Sequence, residues 1–101
     1  MDKNEPILTI SIAAKLLKLH PRTLMLYEKE KLTTPHRTQT KRRLFSVNDL
    51  DELQFVKHLT QEERLNLQAV RLVKRAIKLL EEKNIDLKKL LFPTFKPKKL
   101  I

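Results

Sequence analysis

Residues 11–31 carry the sequence SIAAKLLKLHPRTLMLYEKEK, and this stretch decides the fold. Ser11 is a suitable N-cap for a short helix through Lys18, in which apolar residues recur at helical spacing. A three-residue gap then leads to Pro21, which suits the first turn of a second helix because its missing N–H is not needed there. We therefore predict two short helices joined by a tight turn, with the second helix running to about Lys31.

Two further helices are predicted in the second half of the chain. Ser46 and Asp49 match a capping box with Asp in place of the usual Glu, and they predict a third helix through Thr60. Asn66 is a suitable cap for a fourth helix that starts at Leu67.

A small β-hairpin is predicted between the second and third helices. Residues 37–45 are rich in Thr, Gln, Lys and Arg and close on an apolar pair, although the turn lacks the usual Gly. Two helices with a tight turn, a basic hairpin and a capped helix make a winged helix-turn-helix. Such a module inserts its second helix into the major groove of DNA while the wing contacts backbone or minor groove.

The fourth helix has a wider apolar arc than one small core requires. Val70, Val73, Ile77 and Leu80 recur at alternating spacings of three and four residues. We predict that these four residues form the seam of a homodimer.

A break is predicted after the fourth helix. Asn84 suits left-handed backbone and Asp86 is a suitable cap for a last short helix, whereas the alternative is one longer helix with the same apolar spacing. Pro93 stops regular structure, so we expect a mobile tail beyond it.

The expected fold class is mainly α, a winged helix-turn-helix with a small β-hairpin wing and a C-terminal dimerisation helix. The sequence divides into an extended N-terminal arm (1–9), the DNA-binding domain (10–65), the helical dimerisation segment (66–92) and a flexible basic tail (93–101).

Composition excludes several classes of protein. The 101 residues allow one domain, and the absence of Gly and Cys excludes Gly-rich phosphate loops, disulfides and thiolate metal sites. The three His residues lack metal-ligand spacing, and no catalytic triad or carboxylate pair is evident. No apolar run approaches the ~18 residues of a membrane span. We expect a soluble cytoplasmic, nucleoid-associated protein that is not an enzyme and needs no cofactor.

The charge is strongly positive and unevenly distributed. The chain has 22 Lys and Arg against 12 Asp and Glu, and residues 15–43 hold nine of the basic residues against two Glu. Segregated positive charge indicates a polyanionic partner, of which nucleic acid is the commonest. The alternative is a solvated basic surface that serves solubility.

Four motifs carry a resemblance to a known family. ISIAAKLL (10–17), TLMLYE (23–28), KL (31–32) and RLFSVNDL (43–50) resemble the DNA-binding domain of the MerR family. Within that family, HPRTL (20–24), LTQE (59–62) and NLQAV (66–70) look most like the HspR-type heat-shock repressors. The likeness covers roughly residues 7–75.

The resemblance implies a homodimer that binds a two-fold symmetric operator in double-stranded DNA and typically represses stress or chaperone genes. In HspR-type proteins the chaperone DnaK can act as co-repressor. The resemblance places the recognition helix at residues 21–30 and the wing at residues 37–45. The DNA-binding residues expected on these two elements are Arg22, Thr23, Met25, Leu26, Tyr27, Lys29, Arg37, Lys41, Arg42 and Arg43.

The chain also departs from the family pattern. Met25 stands where the family usually has Arg, and Lys31 stands where it usually has Gly. Met25 and Leu26 either touch thymine methyl groups or pack against the rest of the fold. Tyr27 is either a core residue or one whose hydroxyl reaches a phosphate. Arg43 either contacts a phosphate or bridges to the third helix.

Two other functions compete with a transcriptional regulator. An excisionase-like architectural protein shares the fold but bends DNA without regulating a promoter directly, and a protein–protein adaptor would dock its basic face on an acidic partner. The segments 60–62 and 66–70 lie beyond the minimal winged helix, and their likeness to regulators favours the first function.

Overall fold

The computed structural model describes residues 2–101, so Met1 of the predicted arm lies outside the described residues. Within this range, the chain forms five helices and a three-stranded antiparallel sheet, and the predicted winged helix-turn-helix is confirmed. In chain order the elements are β1 (Leu8–Thr9), α1 (Ile10–Leu17), α2 (Pro21–Lys29), β2 (His36–Arg37), β3 (Arg43–Phe45), α3 (Val47–Gln61), α4 (Leu67–Glu81) and α5 (Leu87–Leu91).

Helices α1 and α2 form the predicted helix pair. The N-cap of α1 is Thr9 rather than Ser11, because β1 runs directly into the helix and the Thr9 hydroxyl accepts a hydrogen bond from the Ile12 N–H at 3.4 Å. Helix α1 stops at Lys18, which has left-handed backbone with φ 56°. Pro21 begins α2 as predicted.

The small sheet has the strand order β1-β3-β2. Strands β2 and β3 are the predicted wing, and their register places Arg37 opposite Arg43. The extended arm is corrected at its end, since Leu8 pairs with Phe45 and strand β1 forms one edge of the sheet.

Helix α3 supplies the centre of the core. Its capping box is present as predicted: the Ser46 hydroxyl accepts from the Asp49 N–H at 3.0 Å, and the Asp49 carboxylate accepts from the Ser46 N–H at 2.8 Å. The buried side chains of this helix are Leu50, Leu53, Phe55, Val56 and Leu59.

Left-handed backbone recurs in this chain without glycine. The residues with positive φ in the described range are Lys18, Lys31, Lys41, Arg64 and Asn84. After α2, the Leu32 N–H donates to the Tyr27 carbonyl at 2.8 Å and the Lys31 N–H donates to the Glu28 carbonyl at 2.9 Å, which is a Schellman motif. Lys31 therefore has the conformation that favours Gly, at a cost of about 1–2 kcal/mol for a residue with a Cβ.

Helices α4 and α5 are separated by the predicted break. Asn66 caps α4 by accepting from the Ala69 N–H at 2.8 Å. Asn84 has φ 59°, and the Asp86 carboxylate caps α5.

The C-terminal segment differs from the predicted mobile tail. Residues beyond Pro93 have no helix or strand, as expected, but they pack against α3 instead of extending freely. The Phe55 ring meets the rings of Phe92 and Phe95 edge-on, at centroid distances of 5.7 and 5.2 Å. The side-chain amide of Gln54 also exchanges two hydrogen bonds with the backbone of Lys98. Aromatic packing and the side-chain hydrogen bonds of Gln54 therefore hold this segment on the domain.

No helix within residues 2–101 has the length and apolar character needed to cross a bilayer.

Candidate nucleic-acid interface

The recognition helix α2 has one face in the core and one face in solvent. The inner face is formed by Leu24, which is fully buried, and Tyr27. His20 fixes the start of the helix because its Nδ1 accepts from the Arg22 N–H at 3.0 Å. Of the residues predicted to bind DNA, those exposed on the outer face are Arg22, Met25, Leu26 and Lys29, with Thr23 half-buried beside them.

Tyr27 is corrected from a DNA-binding residue to a core residue. Its side chain is only 3% exposed, and its hydroxyl lies 3.2 Å from the Thr60 hydroxyl on α3. A buried phenol with a hydrogen-bond partner in the core does not belong to the solvent face of α2.

The wing turn is closed by threonine side chains in place of glycine. The Thr38 hydroxyl accepts from the Arg42 N–H at 3.1 Å, and the backbone of Thr38 bonds to both Lys41 and Arg42. Lys41 has φ 67° at the tip, and the side chains of Lys41 and Arg42 are exposed. The wing thus presents two cations to solvent.

Glu28 joins the wing to the recognition helix. Arg43 Nε donates to Glu28 Oε1 at 2.6 Å, and Arg37 Nη2 donates to both Glu28 carboxylate oxygens at 3.0 and 3.1 Å. Arg37 Nη1 also donates to the Lys41 carbonyl at 2.8 Å. The predicted alternative that Arg43 bridges to the third helix is wrong, because its partner lies on α2. Both guanidinium groups are engaged in positioning the wing.

This arrangement changes the acid–base behaviour of Glu28. Desolvation of its carboxyl group, on a side chain that is 21% exposed, acts to raise the pKa, but the hydrogen bonds and charges of Arg43 and Arg37 together outweigh it. The pKa of Glu28 therefore lies below its ordinary value of 4.5, and the carboxylate stays charged at neutral pH.

Basic side chains of α4 support the C-terminal end of the recognition helix. Arg71 Nη1 donates to the Glu30 carbonyl at 3.2 Å and to the Glu30 carboxylate at 3.0 Å. Lys74 Nζ donates to the Leu32 carbonyl at 2.8 Å. Arg71 thus binds the carbonyl of the residue that caps α2, Lys74 binds a carbonyl just beyond the helix, and both cations oppose the negative end of the helix dipole.

Sequence reasoning missed these organising residues. The available signal for Glu28 was that an acidic residue follows Tyr27 in a helix that is otherwise basic on its polar side. For Arg71 and Lys74 no local signal existed, because their carbonyl partners lie about forty residues earlier in the chain.

The predicted dimer seam on α4 is also corrected. Val70 is fully buried and Ile77 is 7% exposed, and both belong to the core of the domain, with Val73 and Leu80 half-buried beside them. The exposed apolar residues of α4 are instead Leu72 and Leu79, at 64% and 57% exposure. The residues at alternating spacing therefore form the stripe of α4 that faces the core. The second apolar surface of the helix, with Leu72 and Leu79, faces solvent.

Within residues 2–101, no three His, Asp or Glu side chains lie close enough together to hold a metal ion.

Known proteins similar to this chain are helix-turn-helix regulators. The family model described as MerR HTH family regulatory protein matches residues 8–85. The putative heat shock protein HspR of Streptomyces coelicolor is 38% identical over 79 residues, which cover 78% of this chain and 50% of that protein. The HTH-type transcriptional regulator GlnR of Bacillus anthracis is 37% identical over 71 residues, which cover 70% of this chain and 54% of that protein. The chain spans about half the length of these relatives.

Proposed function

Because the chain belongs to the MerR HTH family of regulatory proteins, we propose that it is a sequence-specific DNA-binding regulator that binds an inverted-repeat operator as a homodimer. Its action is repression, and its targets are stress or chaperone-type genes. It acts at the nucleoid without a cofactor and has no enzymatic activity of its own.

The observation that carries this proposal is the pair of basic elements held together by Glu28. The outer face of α2 presents Arg22 and Lys29, and the wing presents Lys41 and Arg42. Each element alone is a common surface feature. Their fixed relative position, set by two guanidinium groups on one carboxylate, suits simultaneous contact with the major groove and the neighbouring phosphates.

The proposal that the target genes are stress genes has the support of one relative but not of the other. A relative named heat shock protein HspR favours stress genes, whereas a relative at nearly the same identity is named only as the HTH-type transcriptional regulator GlnR. Mapping of chromosomal sites occupied by the protein, before and after heat shock, tests the choice. Occupancy of chaperone promoters that falls on heating supports the stress role, and purified DnaK that tightens operator binding supports co-repression.

A second copy of the chain is the partner we propose for the outer face of α4. Ala69, Leu72, Ala76 and Leu79 recur on this face at spacings of three and four residues. Alternation of small and large side chains allows two such helices to approach closely and interdigitate. Since the two leucines are the most exposed apolar residues of the helix, this is the face of α4 on which a second copy would bury apolar surface.

Charge complementarity favours an antiparallel arrangement of the two copies. A two-fold axis between Ala76 and Leu79 sets each of these residues against the other in the second copy and leaves Leu72 at the end of the seam, opposite Lys83. The same axis brings Arg75 of one copy beside Glu82 of the other, and it does so twice because the interface is self-complementary.

Selection of bound sequences from a pool of random duplex DNA tests the proposed function. A regulator enriches an inverted repeat whose half-sites are one helical turn or a multiple of it apart. Enrichment of flexible sequence without a repeat, together with strong bending, supports the architectural alternative. No retention of DNA at low salt leaves the protein adaptor as the remaining function.

A further inference from the structure

Two neighbouring apolar side chains lie in the middle of the solvent face of α2. Met25 is 39% exposed and Leu26 is 44% exposed, whereas the adjacent Leu24 and Tyr27 are buried. The inner face of this short helix is thus filled, and neither of its outer apolar residues belongs to the hydrophobic core. The expectation that Met25 and Leu26 pack against the rest of the fold does not account for this exposure.

Cations flank the apolar pair on the same side of the helix. Arg22 precedes Met25 by three residues, and Lys29 follows Leu26 by three, which places all four on one surface of an α-helix. The flanking cations suit phosphate oxygens or guanine acceptors. The centre of this surface has no side-chain hydrogen-bond donor apart from the half-buried Thr23.

The chemistry of the major groove offers one apolar group to such a centre. Each base edge there presents hydrogen-bond donors or acceptors, and the thymine C5-methyl group is the apolar exception. Met25 adapts its shape through three rotatable bonds, while Leu26 is branched and stiffer. The two side chains together cover an area that matches methyl groups on adjacent or nearby base pairs.

We propose that Met25 and Leu26 recognise thymine methyl groups, so that each operator half-site has thymine at the base pairs beneath the centre of α2. This inference rests on the proposed function and specifies its ligand. Recognition at these positions comes from apolar contact, whereas hydrogen bonding is left to Arg22 at the start of the helix.

Replacement of thymine by deoxyuracil tests this proposal, because it removes the methyl group and leaves base pairing intact. The probe is the duplex enriched by selection, substituted at one thymine at a time. We expect a loss of affinity of about fourfold at one or two positions per half-site and no change elsewhere, since a buried methyl group is worth about 0.8 kcal/mol.

Two variants assign the effect to the proposed residues. Met25→Ala and Leu26→Ala remove exposed side chains while keeping a good helix former, and the melting temperature checks that the fold is unchanged. Each variant should lose sensitivity to deoxyuracil at its own position, whereas Arg22→Ala, the matched control on the same face, should keep it.

Three results would overturn the proposal. Full affinity for a duplex with deoxyuracil throughout both half-sites, with the preference over random DNA retained, rejects methyl recognition and leaves the proposed function intact. Deoxyuracil sensitivity that persists in both alanine variants assigns the methyl contact to other residues. Failure to enrich any duplex rejects the proposed function together with this inference.

Discussion

Arg43 on the wing donates from Nε to Glu28 Oε1 on the recognition helix at 2.6 Å, and this ion pair couples the two elements of the candidate interface. Arg37, directly opposite Arg43 in the hairpin, binds the same carboxylate. Two like charges in a cross-strand pair repel each other, and Glu28 offsets this repulsion. The wing is thereby oriented by α2 before any DNA arrives.

Loss of the Glu28 charge should loosen the wing. Glu28→Gln keeps the shape of the side chain but removes the ionic acceptor of both guanidinium groups, so we expect the free energy of unfolding at pH 7 to fall by about 1–2 kcal/mol. Chemical denaturation measures the change, and Glu62→Gln, at an exposed glutamate outside these ion pairs, is the matched control. A change of similar size in both variants would contradict the role assigned to Glu28.

The stability of the same pair should depend on pH in a defined direction. The pKa of Glu28 is lower in the folded chain than its ordinary value of 4.5, so its contribution is complete above that value and disappears as pH falls through the folded pKa. Unfolding curves between pH 6 and strong acid should therefore show a smaller acid-side loss in Glu28→Gln than in the wild type. Parallel pH profiles would remove this carboxylate as a source of acid sensitivity.

Two arginines separate sequence discrimination from anchoring. Arg22→Ala should cost roughly 1–3 kcal/mol on the selected duplex and less on random DNA, because a residue in the major groove contacts bases. Arg42→Ala should weaken both duplexes alike, because a wing residue on phosphate carries no sequence information. Titration of both duplexes at fixed salt measures the affinity of each variant for each duplex. Equal losses of affinity on the two duplexes for Arg22→Ala would make that residue an anchor as well.

A glycine should stabilise the end of the recognition helix. Lys31 has φ 60° in the Schellman motif after α2, so Lys31→Gly should raise the free energy of unfolding by about 1 kcal/mol. Lys29→Gly, two residues earlier within the helix, is the matched control and should lower it by about 0.5–1 kcal/mol. Thermal unfolding with both variants at one ionic strength makes the comparison, and destabilisation by both would count against strain at Lys31.

The outer face of α4 is tested by a pair of double variants. Leu72→Gln with Leu79→Gln should remain folded and become monomeric, with operator affinity falling far more than nonspecific affinity. Arg75→Glu alone should weaken the dimer, and its combination with Glu82→Arg should restore it. Ile77→Gln, at a buried position of the same helix, should unfold the domain instead. Sedimentation and far-UV spectra distinguish these results, and a folded dimer of the leucine variant would place the seam elsewhere.

Much of this fold was predictable because its signals are local. Ser46 with Asp49, Asn66 and Pro21 each specify a helix start through bonds within a few residues, and all three were predicted correctly. Thr9 was missed because its role depends on strand β1, which exists only when Leu8 pairs with Phe45 more than thirty residues away.

The candidate site was predictable in outline but not in its internal contacts. Arg22, Lys29 and Arg42 were predicted from charge and motif, and they lie on the solvent side of α2 and the wing. The sequence did not indicate that Arg37 and Arg43 share one carboxylate, because that contact depends on how the hairpin folds over α2. The misplaced seam has a similar cause, since alternating spacing describes a core stripe and a dimer stripe equally well.

The salt dependence of DNA binding tests the central claim most directly. Each phosphate contact releases counterions and contributes about −0.9 to the slope of log K against log salt concentration. With Lys29, Lys41 and Arg42 on phosphates in both copies and Arg22 on a base, a dimer on its selected duplex should give a slope of roughly −5. A steep slope of this order, reduced by about 2 in Arg42→Ala, is the result we predict. A slope near zero would contradict the assignment of this basic surface to DNA.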